Sequence, residues 1–234
     1  MKKVITAALG AGAIFLGALT SPLMAGSIGV GLTGHGVLFE ADGTEHMQGT
    51  GRTVTKNNYS EAGAIPSGYV QYTFGEDGFV IGLEKIPGAL DLGTHTQKTR
   101  TDWVTGNTTA GDTIVQTVKA ELSNHKGFYL ESPALGWGGS GGLFVRSGVS
   151  QVTLKTMENL GSGGAYGNGT SIEGISGAIG FRGTLENGMH LKFMVEQTNY
   201  ENVKIVSTDQ ANGATHIDVN MDTYAARISV GINF

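Results

Sequence analysis

The sequence predicts an all-β fold, a closed antiparallel up-and-down transmembrane β-barrel of about eight strands, and three observations predict it. The first is the final stretch, where Tyr224, Ala226, Ile228, Val230, Ile232 and Phe234 are apolar while Ala225, Arg227, Ser229, Gly231 and Asn233 are small or polar. A period of two sends successive side chains to opposite faces of a strand, so one face suits hydrocarbon and the other water. The second is composition. No run beyond Leu19 approaches the ~20 apolar residues that a membrane-spanning helix needs, mean hydropathy is near zero, and 39 of 234 residues are glycine, well above the usual ~7%. Glycine disfavours helix, and a spanning barrel, which alternates outward and inward residues, is no more hydrophobic on average than a soluble protein. The third is the order of connections. Short turns at 75–78, 136–142 and 186–188 alternate with long polar stretches at 40–66, 88–112, 157–169 and 207–215, the pattern of an even-stranded barrel with both ends on one side.

Taken from the amino terminus, Lys2 and Lys3 precede an apolar run from Val4 to Leu19, then Ser21-Pro22 and Leu23-Met24-Ala25. This reads as a cleavable secretory signal over 1–25, although Leu23 is larger than the small residue preferred three places before the cut. Residues 26–234 then form one barrel domain, with 13 Lys and Arg against 20 Asp and Glu, a formal charge of −7. So acidic a chain is a poor partner for nucleic acid. Without cysteine there is no disulfide framework, thiolate metal site or lipid-modified amino terminus.

Alternation and turn signals place strands at 27–39, 67–74, 79–87, 113–135, 143–156, 170–185, 189–206 and 216–234. In the third, Phe79, Ile81 and Leu83 face outward and Glu84 inward. The fourth is long, and its Ser123-Asn124-His125-Lys126-Gly127 segment could turn, which would give ten strands; one strand is expected, with its surplus projecting beyond the membrane. In the sixth, Ile175, Ile179, Phe181 and Leu185 face out, opposite Arg182. The seventh repeats this, with Met189, Leu191, Phe193 and Val195 out and His190, Lys192, Met194 and Glu196 in. Between these two, Asn187-Gly188 supplies the positive backbone angles of a two-residue hairpin. In the eighth, Ile217, Val219 and Met221 are apolar on the opposite parity to Phe234, so either a bulge lies near Asp222-Thr223 or they stand above the membrane.

The amino-terminal segment, the opening Gly-Ser-Ile-Gly-Val-Gly-Leu-Thr-Gly strand from Gly26, the Glu186-Asn187-Gly188 hairpin and the last strand from Arg227 to Phe234 together resemble the small outer-membrane β-barrels of Gram-negative bacteria, the opacity-protein and outer-membrane-protein-A-type group. The resemblance spans residues 26–234. It implies that Tyr224, Ile228, Val230, Ile232 and Phe234 form the carboxy-terminal signal read by the barrel-assembly machinery. It also implies periplasmic chaperones in transit, outer-membrane lipids and lipopolysaccharide as surroundings, and a monomer without a cofactor.

The charged set expected in the lumen is Glu84, Glu121, Glu131, Arg146, Arg182, Lys192, Glu196 and Arg227. Eight strands enclose a bore just wide enough for side chains to fill, and unpaired charges there are costly, so a paired network that closes the bore is expected, with a narrow porin-like path for small solutes or ions as the alternative. No catalytic residue is assigned. The histidines His35, His46, His95, His125, His190 and His216 stand in no Gly-x-Ser-x-Gly or His-Glu-x-x-His context; a surface enzyme or adhesin is the third alternative, and it would need a histidine converging with a serine or an acid at the rim, or a loop shaped for a ligand. Glu40, Asp42, Glu45 and Glu61 read as a solvated face more than a cation site, because the twelve-residue calcium loop is absent. Lys98, Arg100 and Trp103 form a small basic-aromatic cluster. Tyr69, Tyr72, Phe74, Phe79, Tyr129, Phe144 and Phe234 are candidates for an aromatic girdle at the inner rim.

Overall fold

The computed structural model describes residues 26–46, 54–75, 78–100, 113–136, 141–159, 169–206 and 216–234. The segment 1–25 read as a secretory signal lies outside them. The strands are β1 (Ser27–His46), β2 (Val54–Thr73), β3 (Val80–Lys85), β4 (Ala89–Arg100), β5 (Thr113–Glu131), β6 (Leu135–Gly136), β7 (Gly141–Asn159), β8 (Thr170–Thr184), β9 (Met189–Tyr200), β10 (Val203–Val206) and β11 (His216–Asn233). All ladders are antiparallel. β1 pairs β2, β2 pairs β3, β3 and β4 pair β5, β5 pairs β7, β7 pairs β8, β8 pairs β9, β9 and β10 pair β11, and β11 returns to β1. β3 and β4 are two lengths of one stave, parted at Ile86-Pro87-Gly88, as are β9 and β10 at Glu201-Asn202; β6 is a short bridge onto β7. The cylinder therefore has eight staves.

The wall changes character along its height. In the lower part outward side chains are apolar: Ile28, Val30, Leu32 and Leu38 on β1, Phe181 and Ile179 on β8, Leu191, Phe193 and Val195 on β9, and Tyr224, Ile228, Val230 and Ile232 on β11 are all exposed. From Ile28 to Leu38 a strand advances about 34 Å, which at a typical tilt of about 40° gives about 26 Å of height, close to the ~25 Å apolar band of a spanning barrel. Leu38 pairs with Tyr224, and the next outward pair is Glu40 with Asp222. There the pattern inverts. Above it Phe39, Leu92, Leu122, Val152, Leu154, Ile172, Val203, Ile205 and Met221 are buried together inside the cylinder, with Ala41, Tyr59 and Val219 packed against them.

This inversion accounts for the differences from the sequence reading. β11 runs in unbroken register with β1 from Gly29 and Asn233 to His46 and His216, so the terminal strand has no bulge, and Val219 and Met221 are inward residues above the band. β2 begins at Val54 and β4 fills Ala89–Arg100, inside stretches read as loops, because strands whose apolar side turns inward no longer show the alternation of a lipid-facing wall. β5 stays one strand. Its suspected turn is a bulge between Ser123 and Lys126, where Asn124 adopts φ 55° and a left-handed backbone is tolerated. The hairpin at 186–188 also differs in type: only Gly188 has positive φ, at 81°, its N–H donates to the Leu185 carbonyl at 2.9 Å and Leu185 N–H donates to Met189 O at 2.7 Å. That is a three-residue connection closed by a glycine bulge.

One seam is not laddered. The β2–β3 pairing begins at Gly68 and Lys85, and among the described residues β2 above Gly68 has backbone pairing to β1 only. Pro66 and Pro87 flank this point, each without an N–H to offer a neighbour. Side chains bridge the gap instead: the Tyr59 hydroxyl donates to the Leu92 carbonyl, and Leu90 lies over Gly63.

Candidate functional site

The bore within the apolar band is filled by ionised and polar side chains that alternation delivers from all eight staves. Glu84 on β3 is its hub. Arg146 of β7 donates to it at 2.7 Å, Arg227 of β11 donates to both its oxygens, Ser67 donates to it, and His35 Nε2 lies 3.2 Å away. Arg227 also donates to Glu196 of β9 at 2.6 Å, and Arg146 Nε lies 3.5 Å from the same carboxylate. A second hub is Glu131 on β5, which accepts from Lys192 at 2.8 and 2.9 Å and from Arg182 at 3.4 Å. Lys192 donates further to Gln71 at 2.7 Å, and Arg182 to the Gly78 carbonyl at 2.7 Å.

Three carboxylates thus face four cations, and Glu84, Glu131, Arg146, Lys192 and Arg227 are all buried. Each charge has an opposite partner, which is what lets buried ions be tolerated, while Arg146 Nε, Glu196 Oε2 and Arg227 Nε make no hydrogen bond. Aromatic rings complete the filling. The Arg146 guanidinium lies 3.7 Å from the Tyr129 ring centre, and the Tyr69 hydroxyl meets His190 Nε2 at 2.6 Å. Tyr129 lies across Gly82 and Tyr69 across Gly31, where any Cβ would collide with the ring. These glycines are needed for lumen packing. Between this network and the apolar cluster above sits a void of only about 70 Å³, lined in part by His125, Leu122, Val152 and Arg227.

Seven of the eight charges expected in the lumen meet there; Glu121 does not. The bulge at Ser123 shifts the alternation of β5 by one residue, so Tyr129 and Glu131 point in below it while Leu122 points in above it, and Glu121 turns to the outer face beside Lys155, 3.9 Å away. Tyr69, Tyr129 and Phe144, expected in a girdle, are 6%, 2% and 1% exposed inside the bore. Tyr72 and Phe74 do pack edge to face at the lower rim, with centroids 4.8 Å apart, and Phe234 is exposed. His35, Ser67, Gln71 and His190 join the network without having been marked for it. For His190 the available signal is its inward parity with Lys192 on β9, whereas His35 on β1 and Ser67 and Gln71 on β2 stand on strands that carry no expected lumen charge before Arg227 and Glu84 on their neighbours are in register.

Ser67, His35 and Glu84 converge, yet His35 uses one nitrogen, Nε2, toward both Ser67 Oγ at 2.7 Å and Glu84. A nucleophile relay uses the two ring nitrogens in series, and Glu84 is already held by two arginines. Among the loop acids, Glu40 and Asp42 are exposed on β1 and Glu61 accepts from the Tyr59 hydroxyl at 2.9 Å. Beside them Asp222 has its carboxyl raised above the ordinary range by partial burial and by the Asp42 carboxylate. The side chains of Glu45, His95, Lys98, Arg100 and Trp103 lie outside the described residues. Among the described residues, one group of histidines and carboxylates is spaced to share an ion: His46, His216 and Asp218 at the upper end of β1 and β11.

No protein-family model matches the chain, and no curated protein does. Solved structures do. The outer membrane protein OprG of Pseudomonas aeruginosa superposes with a TM-score of 0.52 at 14% identity, covering 87% of this chain and 96% of that one. Neisserial surface protein A gives 0.43 at 11% identity over 90% and 100%, and the outer membrane protease OmpT of Escherichia coli 0.44 at 9% over 89% and 97%. What the chain shares with OprG is architecture: it is a closed, eight-staved antiparallel barrel of the kind built by small outer-membrane proteins.

Proposed function

We propose that the protein resides in the Gram-negative outer membrane as a non-conducting barrel with a structural and surface role, holding strands and loops above the lipid. The observation that carries this is the double filling of the bore. Glu84, Glu131, Arg146, Lys192 and Arg227 close it within the band, and the apolar cluster around Phe39, Ile172 and Met221 closes it again above. An ion crossing would have to break charge-assisted bonds in a low dielectric and then pass a dry segment. The placement in a membrane rests on the outward apolar band, whose residues would have no reason to be exposed to water together.

In this reading, residues 1–25 direct export, and the exposed Tyr224, Ile228, Val230, Ile232 and Phe234 face of β11 engages the barrel-assembly machinery after chaperoned transit. The mature protein is a monomer among lipid and lipopolysaccharide, without catalytic chemistry. Planar-bilayer recording of the refolded barrel at neutral pH tests the central point. No unitary steps are expected from the native chain. Steps that disappear in Arg182→Ala or Glu196→Gln would establish a narrow pore instead.

A further inference from the structure

Above the apolar band, β1 and β11 bring three metal-ligating side chains to one spot on the outer wall. His46 and His216 are direct cross-strand partners, and Asp218 stands opposite Thr44, one step of the same face below. The two imidazoles stack with centroids 4.6 Å apart and planes at 15°, and both direct Nε2 at one oxygen. Asp218 Oδ2 is 3.3 Å from His46 Nε2 and 3.7 Å from His216 Nε2, and all three donor atoms lie within 4.8 Å of one another.

We propose that His46, His216 and Asp218 bind a divalent transition ion of the zinc class. Ligands at about 2.0–2.1 Å from a tetrahedral ion stand about 3.3–3.4 Å apart, which the His46 to Asp218 spacing meets and the His216 to Asp218 spacing approaches; the two imidazoles, within 4.8 Å of one another at their donor atoms, must turn out of their stack for both lone pairs to meet the ion. Two imidazoles and one carboxylate suit a borderline metal better than calcium or magnesium, which prefer all-oxygen shells. The side chains of His46 and Asp218 are 38% and 49% exposed, so the fourth position opens to solvent, where a water completes the shell as it does in three-ligand zinc sites. Lys204, across β10 from Asp218 and exposed on the same wall, opposes a bound cation and sets an upper limit on affinity. The ion would also rivet β1 to β11, the strand pair that closes the cylinder.

Isothermal titration of the refolded full-length barrel in detergent with Zn²⁺, paralleled by the absorption of bound Co²⁺, tests the site. One ion per chain is expected, with the visible bands of a low-coordinate Co²⁺ centre. His46→Ala and His216→Ala should each weaken binding by more than about 100-fold, since even partners that only orient a ligand are worth about 10–100-fold, and Lys204→Gln should tighten it. Each variant's heat-modifiable gel shift should match the native barrel, which separates loss of the site from loss of the fold. No binding by the native chain, or binding that survives both histidine substitutions, would overturn the assignment.

Discussion

At the scale of single residues, Glu131 concentrates the risk of the design. It is fully buried and serves Lys192 and Arg182 at once, so Glu131→Gln removes the negative charge that both cations share. Removing one member of such a set costs about 3–5 kcal/mol; urea unfolding of the barrel in lipid vesicles should show a loss of this size, whereas Glu121→Gln on the outer wall should change stability by less than about 1 kcal/mol. The contrast between these two glutamates also marks what the sequence disclosed. Ten residues apart on one strand, they share a parity and look equivalent. Only the extra residue inserted near Asn124 separates them, and the Ser123-Asn124-His125-Lys126-Gly127 composition marks an irregularity there without telling a bulge, which inverts the parity, from a turn. Tyr69 and Tyr129 were hidden for another reason: a tyrosine suits both a membrane interface and a polar bore, and its partner glycine is recognisable only once register is known.

At the scale of elements, legibility followed lipid contact. β8, β9 and the lower half of β11 were readable in bounds and in facing, because hydrocarbon on one side and charge on the other enforce alternation. β4 and the upper half of β2 were not, since Tyr59, Leu90 and Leu92, their large apolar side chains among the described residues, pack inward. The same region holds the unladdered seam, and hydrogen exchange follows from it. In β2, every second amide between Asn58 and Ile65 lacks a strand partner on the β4 side, so these should exchange markedly faster than the amides of Val70 to Thr73, which are laddered on both sides. Equal protection along β2, measured by NMR of the micelle-bound barrel, would mean that the seam is zipped in solution.

At the scale of the whole molecule, one cylinder carries two opposite solvation schemes. The lower storey is polar within and apolar without, and the upper is apolar within and polar without. The upper storey should therefore obey the rules of a water-soluble core: Phe39→Ala, at a site 2% exposed, should cost about 3–5 kcal/mol and loosen the projecting strands, as read by limited proteolysis above the band, while leaving the membrane-embedded staves protected. The level at which the schemes trade places, between Leu38 with Tyr224 and Glu40 with Asp222, amounts to a painted waterline. Sinking the molecule by one pair of residues would drag carboxylates into oil, and lifting it would bare Leu38 and Tyr224 to water. Immersion depth is thus set by the chain itself, and a bilayer of unsuitable thickness is met by local thickening or thinning or by a change of tilt, each at a modest cost.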